Sequence, residues 1–333
     1  MSTTGTHTRP IIGIHLDCKG VMFKPAYIPQ LLADLGSQGI NTVLIEYEDI
    51  FPFQGLEIAY DRQTVWSRKT LQLFLAEAVR NRIDVIPLQQ CLGHLEYVFG
   101  WNRYRRFAES RDYPSTLCLS KSQGKALIFN MLRQIAVAHP ASRFIHLGMD
   151  EARSLASCPV CRRRGDVLTT FIAYLRKLCA VVEEFNKTPI IWTDMLQDHF
   201  EPAAFKGLEK KVIFMPWDYG SMGNRVAVGR FAGFRVSREW LDDAANPAAP
   251  PIGPGAVYLE DYPARIRKAV QPYLRGRYFT PLFFVDVWTK MGFRVLGGSH
   301  ARVSANGPIM ARYNHARANI QCWSQAIRRN RQM

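Results

Sequence analysis

The sequence predicts an α/β protein of the (β/α)8 TIM-type barrel class, and three observations carry the prediction. Short β-branched apolar runs alternate with longer segments of helical period, the mark of repeated parallel βα units. Polar residues recur at the carboxyl ends of the strand candidates, where a barrel enzyme gathers its site. The turn after the first strand, HLDCKGVMFK, holds a single glycine and no phosphate-binding pattern, which argues against an open nucleotide-binding sheet.

Taken in order, the strand candidates are IIGIHLDC (11–18), NTVLIEYE (41–48), DVIPLQQ (84–90), RFIHLGM (143–149), PIIWTDM (189–195), KVIFMPWDY (211–219) and FRVLGGSHA (293–301). Helical period fills roughly 26–36, 68–81, 123–138, 167–186, 260–274, 280–291 and 308–330. Gly39 and Pro140 are helix stops. The Pro/Ala/Gly stretch DDAANPAAPPIGPGAVY (242–258) is an inserted loop within the sixth unit. Asp17 and Lys19 follow the first strand; Glu46, Glu48 and Asp49 close the second; His94 and Glu96 follow the third. Asp150 and Glu151 end the fourth, Trp192 and Asp194 the fifth, and Trp217, Asp218 and Tyr219 the sixth. Seven strands are legible and an eighth strand with its helix is not, so the expected fold is a barrel lacking that last unit. One catalytic domain is expected over 11–331, with 1–10 as a flexible tail.

The 333 residues suit a single α/β barrel, and 47% hydrophobic composition suits a large core. No window approaches eighteen consecutive apolar residues, and the N-terminus lacks a secretory pattern, so a cytoplasmic protein with no membrane partner is expected. The net charge of +15 raises nucleic acid as a partner, most pointedly at YVFGWNRYRRF (97–107). No RNA- or DNA-binding signature accompanies that stretch, which is expected instead to be an amphipathic helix or loop. Of seven cysteines only Cys158 and Cys161 sit at short spacing; without a second CxxC or HxxxH they are expected to be a reduced surface-loop pair, with no metal.

The stretch FIHLGMDEARSL (144–155) sets two adjacent acids where an apolar run ends. Neighbouring strand residues face opposite ways, so Asp150 and Glu151 converge only if the backbone turns there. Convergent carboxylates can divide labour, one protonated as general acid and the other ionised beside developing positive charge. That division serves glycoside hydrolysis, with its oxocarbenium-like transition state. Trp192 and Trp217, at consecutive strand ends, offer flat apolar walls for a sugar ring.

The ordered motifs HLDCKG, LIEYEDIFPF, PLQQCLGHLEYV, HLGMDE, WTDM and WDY, spanning about residues 12–220, resemble the β-N-acetylhexosaminidases of glycoside hydrolase family 20, closest to the hexosaminidase D-like branch. The likeness extends faintly through GGSHARVSANGP. It implies a retaining mechanism in which the substrate's acetamido group is the nucleophile. On it Glu151 is the general acid and then base, and Asp150 orients the acetamido nitrogen. Trp192 and Trp217 wall the acetamido pocket, and Tyr219 hydrogen-bonds its oxygen. Asp17, Lys19, Glu48, Asp49, His94, Glu96, Asp194 and Asp218 complete the implied substrate-binding set. Lys19 stands where many relatives place an arginine, and Thr193 where many place an acid. The implied partners are N-acetylhexosamine-containing glycans, and no cofactor is required. An open sheet edge would favour association, as in a homodimer. The competing reading is a catalytically inactive or truncated member that binds amino sugars.

Overall fold

The computed structural model describes residues 10–20, 23–58, 64–223, 230–232, 234–237, 256–257, 261–275, 278–299 and 313–330. Two compact units divide the chain: residues 1–148, 153–161 and 177–189 form the first, and 149–152, 162–176 and 190–333 the second.

The first unit carries β1 (Gly13–Asp17), α1 (Ile28–Ser37), β2 (Thr42–Glu46), α2 (Arg68–Arg80) and β3 (Asp84–Leu88). It continues with α3 (Glu96–Phe99), α4 (Asn102–Arg105), α5 (Ser122–Ala138), β4 (Phe144–His146) and most of α6 (Pro159–Arg162). The four strands pair in parallel, and their register places Asp17, Glu46, Leu88 and His146 in one row. Helices follow from capping and periodicity. The Ser67 side chain accepts from the Thr70 N–H at 3.0 Å to open α2, which then buries Leu71, Phe74 and Ala78. Helix α5 stops at His139 because Pro140 follows. The core gathers Val43, Ile45, Phe74, Val85 and Ile135 with Tyr47, whose ring meets Phe51 and Trp66 edge-on. Strand β2 is buried throughout, whereas β1, first in the strand order, is exposed or half-buried at every position. The basic aromatic stretch forms α3 and α4, with Arg103 paired to Glu57 at 2.6 Å.

Helix α7 (Val167–Glu183) and β5 (Thr188–Trp192) are each divided between the units. The second unit adds α8 (Asp194–Asp198), β6 (Ile213–Met215), β7 (Arg230–Phe231), β8 (Phe234–Ser237) and β9 (Ala256–Val257). After them come α9 (Ala264–Val270), β10 (Leu274–Arg275), β11 (Tyr278–Phe279), α10 (Phe283–Lys290) and α11 (Tyr313–Asn330). The strand order is β1-β2-β3-β4-β5-β6. Strand β5 runs parallel to β6 from Ile190↔Ile213 to Trp192↔Met215. Among the described residues, the expected seventh strand is present only as two parallel bridges, Phe214↔Val295 and Trp217↔Gly298. Phe293 stacks on Phe214 at 3.9 Å, with Trp288 edge-on against both.

The first unit thus holds four parallel strands, β5 and β6 with the bridged segment make three more parallel to one another, and no eighth appears among the described residues. The expected helix 260–274 is shorter: Pro263 precedes α9, and Pro272 ends it in a 3-10 turn at Gln271–Tyr273. Of the expected loop 242–258 only β9 is described, and it pairs with β8. Residues 1–9 and 300–312 lie outside the described residues. Among the described residues, no helix is long and apolar enough to cross a membrane.

Candidate active site

In the second unit the two adjacent acids sit on a turn of left-handed backbone. Gly148 (φ 65°), Met149 (φ 79°) and Glu151 (φ 45°) all have positive φ, which costs roughly 1–3 kcal/mol at each non-glycine residue. This turn overrides strand alternation. The Glu151 N–H donates to Asp194 Oδ2 at 2.9 Å, so the residue after β5 pins the residue after β4. Asp194 Oδ1 is closed off from solvent with no hydrogen-bond partner among the described residues. Burial, then the charges of Asp150 and Glu151, push the Asp194 carboxyl up to about 7, although the Glu151 N–H works the other way. Three carboxylates therefore meet here, where the sequence showed two together and a third 43 residues on.

The aromatic wall belongs to the same unit. A Cβ added at Gly298 would lie 3.1 Å from Trp217 Cβ and 3.3 Å from Trp192 Cζ3, so the two tryptophans approach each other across that glycine. Tyr219 stacks on Trp217 with ring centroids 5.1 Å apart. Trp217 Nε1 is buried with no hydrogen-bond partner among the described residues. Asp218 faces its own loop: Oδ1 accepts from the N–H groups of Gly220 and Ser221, and Oδ2 from the Ser221 hydroxyl. Burial nevertheless raises its carboxyl to about 6. Trp323 is buried in the core, and its Nε1 donates to the Asp218 carbonyl at 3.2 Å. Thr193 is fully buried and accepts from the Gln197 amide.

The first unit holds the other expected residues. Lys19 Nζ lies 3.3 Å from Glu48 Oε1 and 3.7 Å from Glu46 Oε1. His15 Nε2 is 3.3 Å from Glu46 Oε2, and the Gln90 amide donates to Glu46 Oε1 at 2.9 Å. Burial opposes ionisation of Glu46, but His15, Lys19 and Gln90 outweigh it and hold the carboxyl at about 2. Glu48 goes the other way, raised by burial to about 8 despite Lys19. Asp17 is exposed and accepts the Lys19 N–H. Glu96 is exposed at the start of α3; Asp49 and His94 are half-buried. Glu48 (φ 50°) and His94 (φ 51°) share the left-handed strain of Glu151, so the loops after β2, β3 and β4 all carry it on a polar residue.

Sequence reasoning left out His15, Glu46, Gln90 and His146 as site residues. His146 is fully buried, its Nδ1 accepts from the Gly148 N–H, and burial lowers its pKa to about 3. Gln90 explains why residue 148 is glycine, since a Cβ there would fall 1.9 Å from Gln90 Oε1. The available signal was a charged or amide group on otherwise apolar strands. A cavity of about 430 Å³ in the first unit opens at the opposite, amino ends of β2 and β3, among Asn41, Arg82, Asp84 and His139, and contains none of these acids.

The cysteine expectation needs correction: Cys161 is buried, not on a surface loop, and Cys118 and Glu109 join the pair.

A profile described as glycosyl hydrolase family 20, catalytic domain, matches residues 32–234. Hexosaminidase D of Homo sapiens is 30% identical over 214 residues, 62% of this chain and 44% of that protein. Its Bos taurus counterpart is 30% identical over 217 residues, 62% of each chain. The matches thus take in less than two thirds of either relative. Among solved structures, the chitobiase of Flavobacterium johnsoniae has a TM-score of 0.53 at 14% identity, covering 96% of this chain and 51% of that one, a likeness of fold.

Proposed function

The chain belongs to glycosyl hydrolase family 20, and from that premise we propose that it is an exo-acting β-N-acetylhexosaminidase working by substrate-assisted retention. The observation that carries the proposal is the strained turn bearing Asp150 and Glu151, tied by the Glu151 N–H to Asp194 in the unit that also holds Trp192 and Trp217. Glu151 protonates the leaving oxygen and later takes a proton from the attacking water. Asp150 holds the acetamido nitrogen while its carbonyl oxygen attacks the anomeric carbon. Asp194 is a positioning residue: its Oδ2 fixes the Glu151 backbone, and its high affinity for a proton lets three carboxylates coexist near neutrality. Trp192 and Trp217 supply the wall against the acetamido methyl, with Tyr219 beside it. Asp218 is assigned to the turn that carries Tyr219, because both of its oxygens are engaged there. The proposal extends to terminal N-acetylglucosamine or N-acetylgalactosamine on glycans as substrate, and to one catalytic domain over 11–331 in a cytoplasmic setting.

One observation favours a second reading, an amino-sugar-binding member without turnover: no eighth parallel strand appears among the described residues. Turnover of aryl β-N-acetylglucosaminide and β-N-acetylgalactosaminide separates the two. Hydrolysis is expected, with Glu151→Gln slowing it roughly 10²–10⁴-fold. Fluorination of the acetamido methyl should slow it further, because the nucleophile is weakened. A folded chain that binds N-acetylglucosamine but hydrolyses neither glycoside would establish the second reading.

A further inference from the structure

We propose that Glu109, Cys118, Cys158 and Cys161 form a structural zinc site in the first unit. The four donor atoms, Glu109 carboxylate and three Sγ, lie within 4.8 Å of one another. Cys118 Sγ is 3.8 Å from Cys158 Sγ and 3.8 Å from Cys161 Sγ. Four ligands set tetrahedrally around Zn²⁺ with Zn–S of about 2.3 Å leave sulfurs about 3.8 Å apart. A disulfide would bring two of them to about 2.0 Å, and all three cysteines are free thiols.

The surroundings prepare the donors for a cation. The Cys161 N–H points at Cys158 Sγ at 3.4 Å, as an amide does when it supports a thiolate. The Cys158 N–H donates to Glu109 Oε1 at 2.9 Å, which fixes the carboxylate and leaves Oε2 3.6 Å from Cys161 Sγ. Cys118, Cys161 and Glu109 are buried, and Cys158 is half-buried. A buried carboxylate among three sulfurs is costly unless it is paired or coordinates a metal. Three thiolates with one carboxylate suit Zn²⁺ rather than Mg²⁺ or Ca²⁺, which take all-oxygen sets. All four tetrahedral positions come from the protein, so the site is closed and its role is to hold structure.

Its place in the chain shows what it would hold. Glu109 and Cys118 flank the loop after α4, and a bridge between Ala108 and Leu117 brings them together. Cys158 immediately precedes α6, and Cys161 lies within it, only ten residues beyond Glu151. A zinc ion would fasten that segment to the loop forty residues upstream, a link made neither by backbone pairing nor by a disulfide.

The test is metal content of the full chain, purified without chelator from zinc-supplemented cells and measured by elemental mass spectrometry. About one zinc per chain is expected. It should fall at least tenfold in Cys118→Ser and Cys161→Ser and persist in Cys91→Ser, a buried cysteine outside the cluster. In case the serine variants misfold, Co²⁺ exchange into the unaltered chain gives an independent reading. Tetrahedral d–d bands with thiolate charge transfer are expected, weakened in Glu109→Gln. A folded wild-type chain with under a tenth of an equivalent of zinc after reconstitution under reducing conditions, or zinc unchanged in a folded Cys118→Ser, would overturn the proposal. So would a native Cys158–Cys161 disulfide in metal-free protein from reducing cells.

Discussion

Glu46 closes β2 in the first unit, and Asp194 follows β5 in the second. Both are carboxylates held away from solvent at the carboxyl end of a parallel strand, and burial pushes both towards the neutral acid. Glu46 is overruled by Lys19, His15 and the Gln90 amide and stays ionised, with its pKa at about 2. Asp194 faces Asp150 and Glu151 instead, with the backbone N–H of Glu151 in opposition, and takes up a proton near neutrality, at about 7. A cation beside a buried acid fixes its charge; a hydrogen bond among other acids leaves the charge adjustable. The first arrangement suits a fixed binding element and the second suits proton handling.

The most damaging way to break this contrast is Glu46→Gln, which removes the carboxylate that Lys19, His15 and the Gln90 amide all contact. A loss of about 2–3 kcal/mol at pH 7 is expected, less than for a fully buried pair because Lys19 is 43% exposed. The folded pKa of Glu46 lies below its ordinary 4.5, so its contribution is present above pH 4.5 and disappears as pH falls towards 2. Urea melts of the variant and the parent should therefore converge in acid.

Asp194→Asn should behave oppositely. Its folded pKa is raised from 3.8 to about 7, so its contribution is favourable below pH 3.8 and is lost as pH rises through 7. The variant should be more stable than the parent by on the order of 1–3 kcal/mol at pH 8 and equal to it near pH 4. If the proposed function holds, kcat should fall even so, because the amide positions the Glu151 backbone less firmly. A variant destabilised at pH 8 would show that Asp194 is stabilised as an anion and that the contrast is false.

Lys19→Met sharpens the comparison by making the first cluster resemble the second. A loss of about 1 kcal/mol at pH 8 is expected, shrinking as acidification protonates Glu48, whose pKa of about 8 already lies in reach. Stability unchanged at pH 8 would mean that Gln90 and His15 suffice to hold Glu46 ionised.

Much of the framework was legible from local pattern. Six strand candidates fall where the pattern placed them and the seventh is reduced to two bridges, while each of the seven helical segments contains a helix, the one in 260–274 shorter than expected, because side-chain period and capping are properties of neighbouring residues. The acid pair was legible too, since HLGMDE sets two carboxylates at the end of an apolar run. Met149 and Glu151 could not be read as left-handed, because neither residue type asks for that backbone; the Asp194 contact and the fit of Gly148 against Gln90 accompany it. The resemblance implied a sugar-binding role for Lys19, and what it could not show is that Lys19 pairs with Glu46 at the end of β2 and Glu48 just beyond it.

What the sequence by itself determined, then, is the βα order, the adjacency of Asp150 and Glu151, and the CxxC of Cys158 and Cys161, all of which depend on spacing along the chain. The tertiary structure alone decided that Asp194 holds a proton near neutrality while Glu46 does not, and that Gly298 separates two tryptophans. It also decided that Cys118 and Glu109 complete a four-donor cluster. The reason is physical: charge state and ligand geometry depend on distances and burial between segments tens of residues apart, and local periodicity carries no record of either.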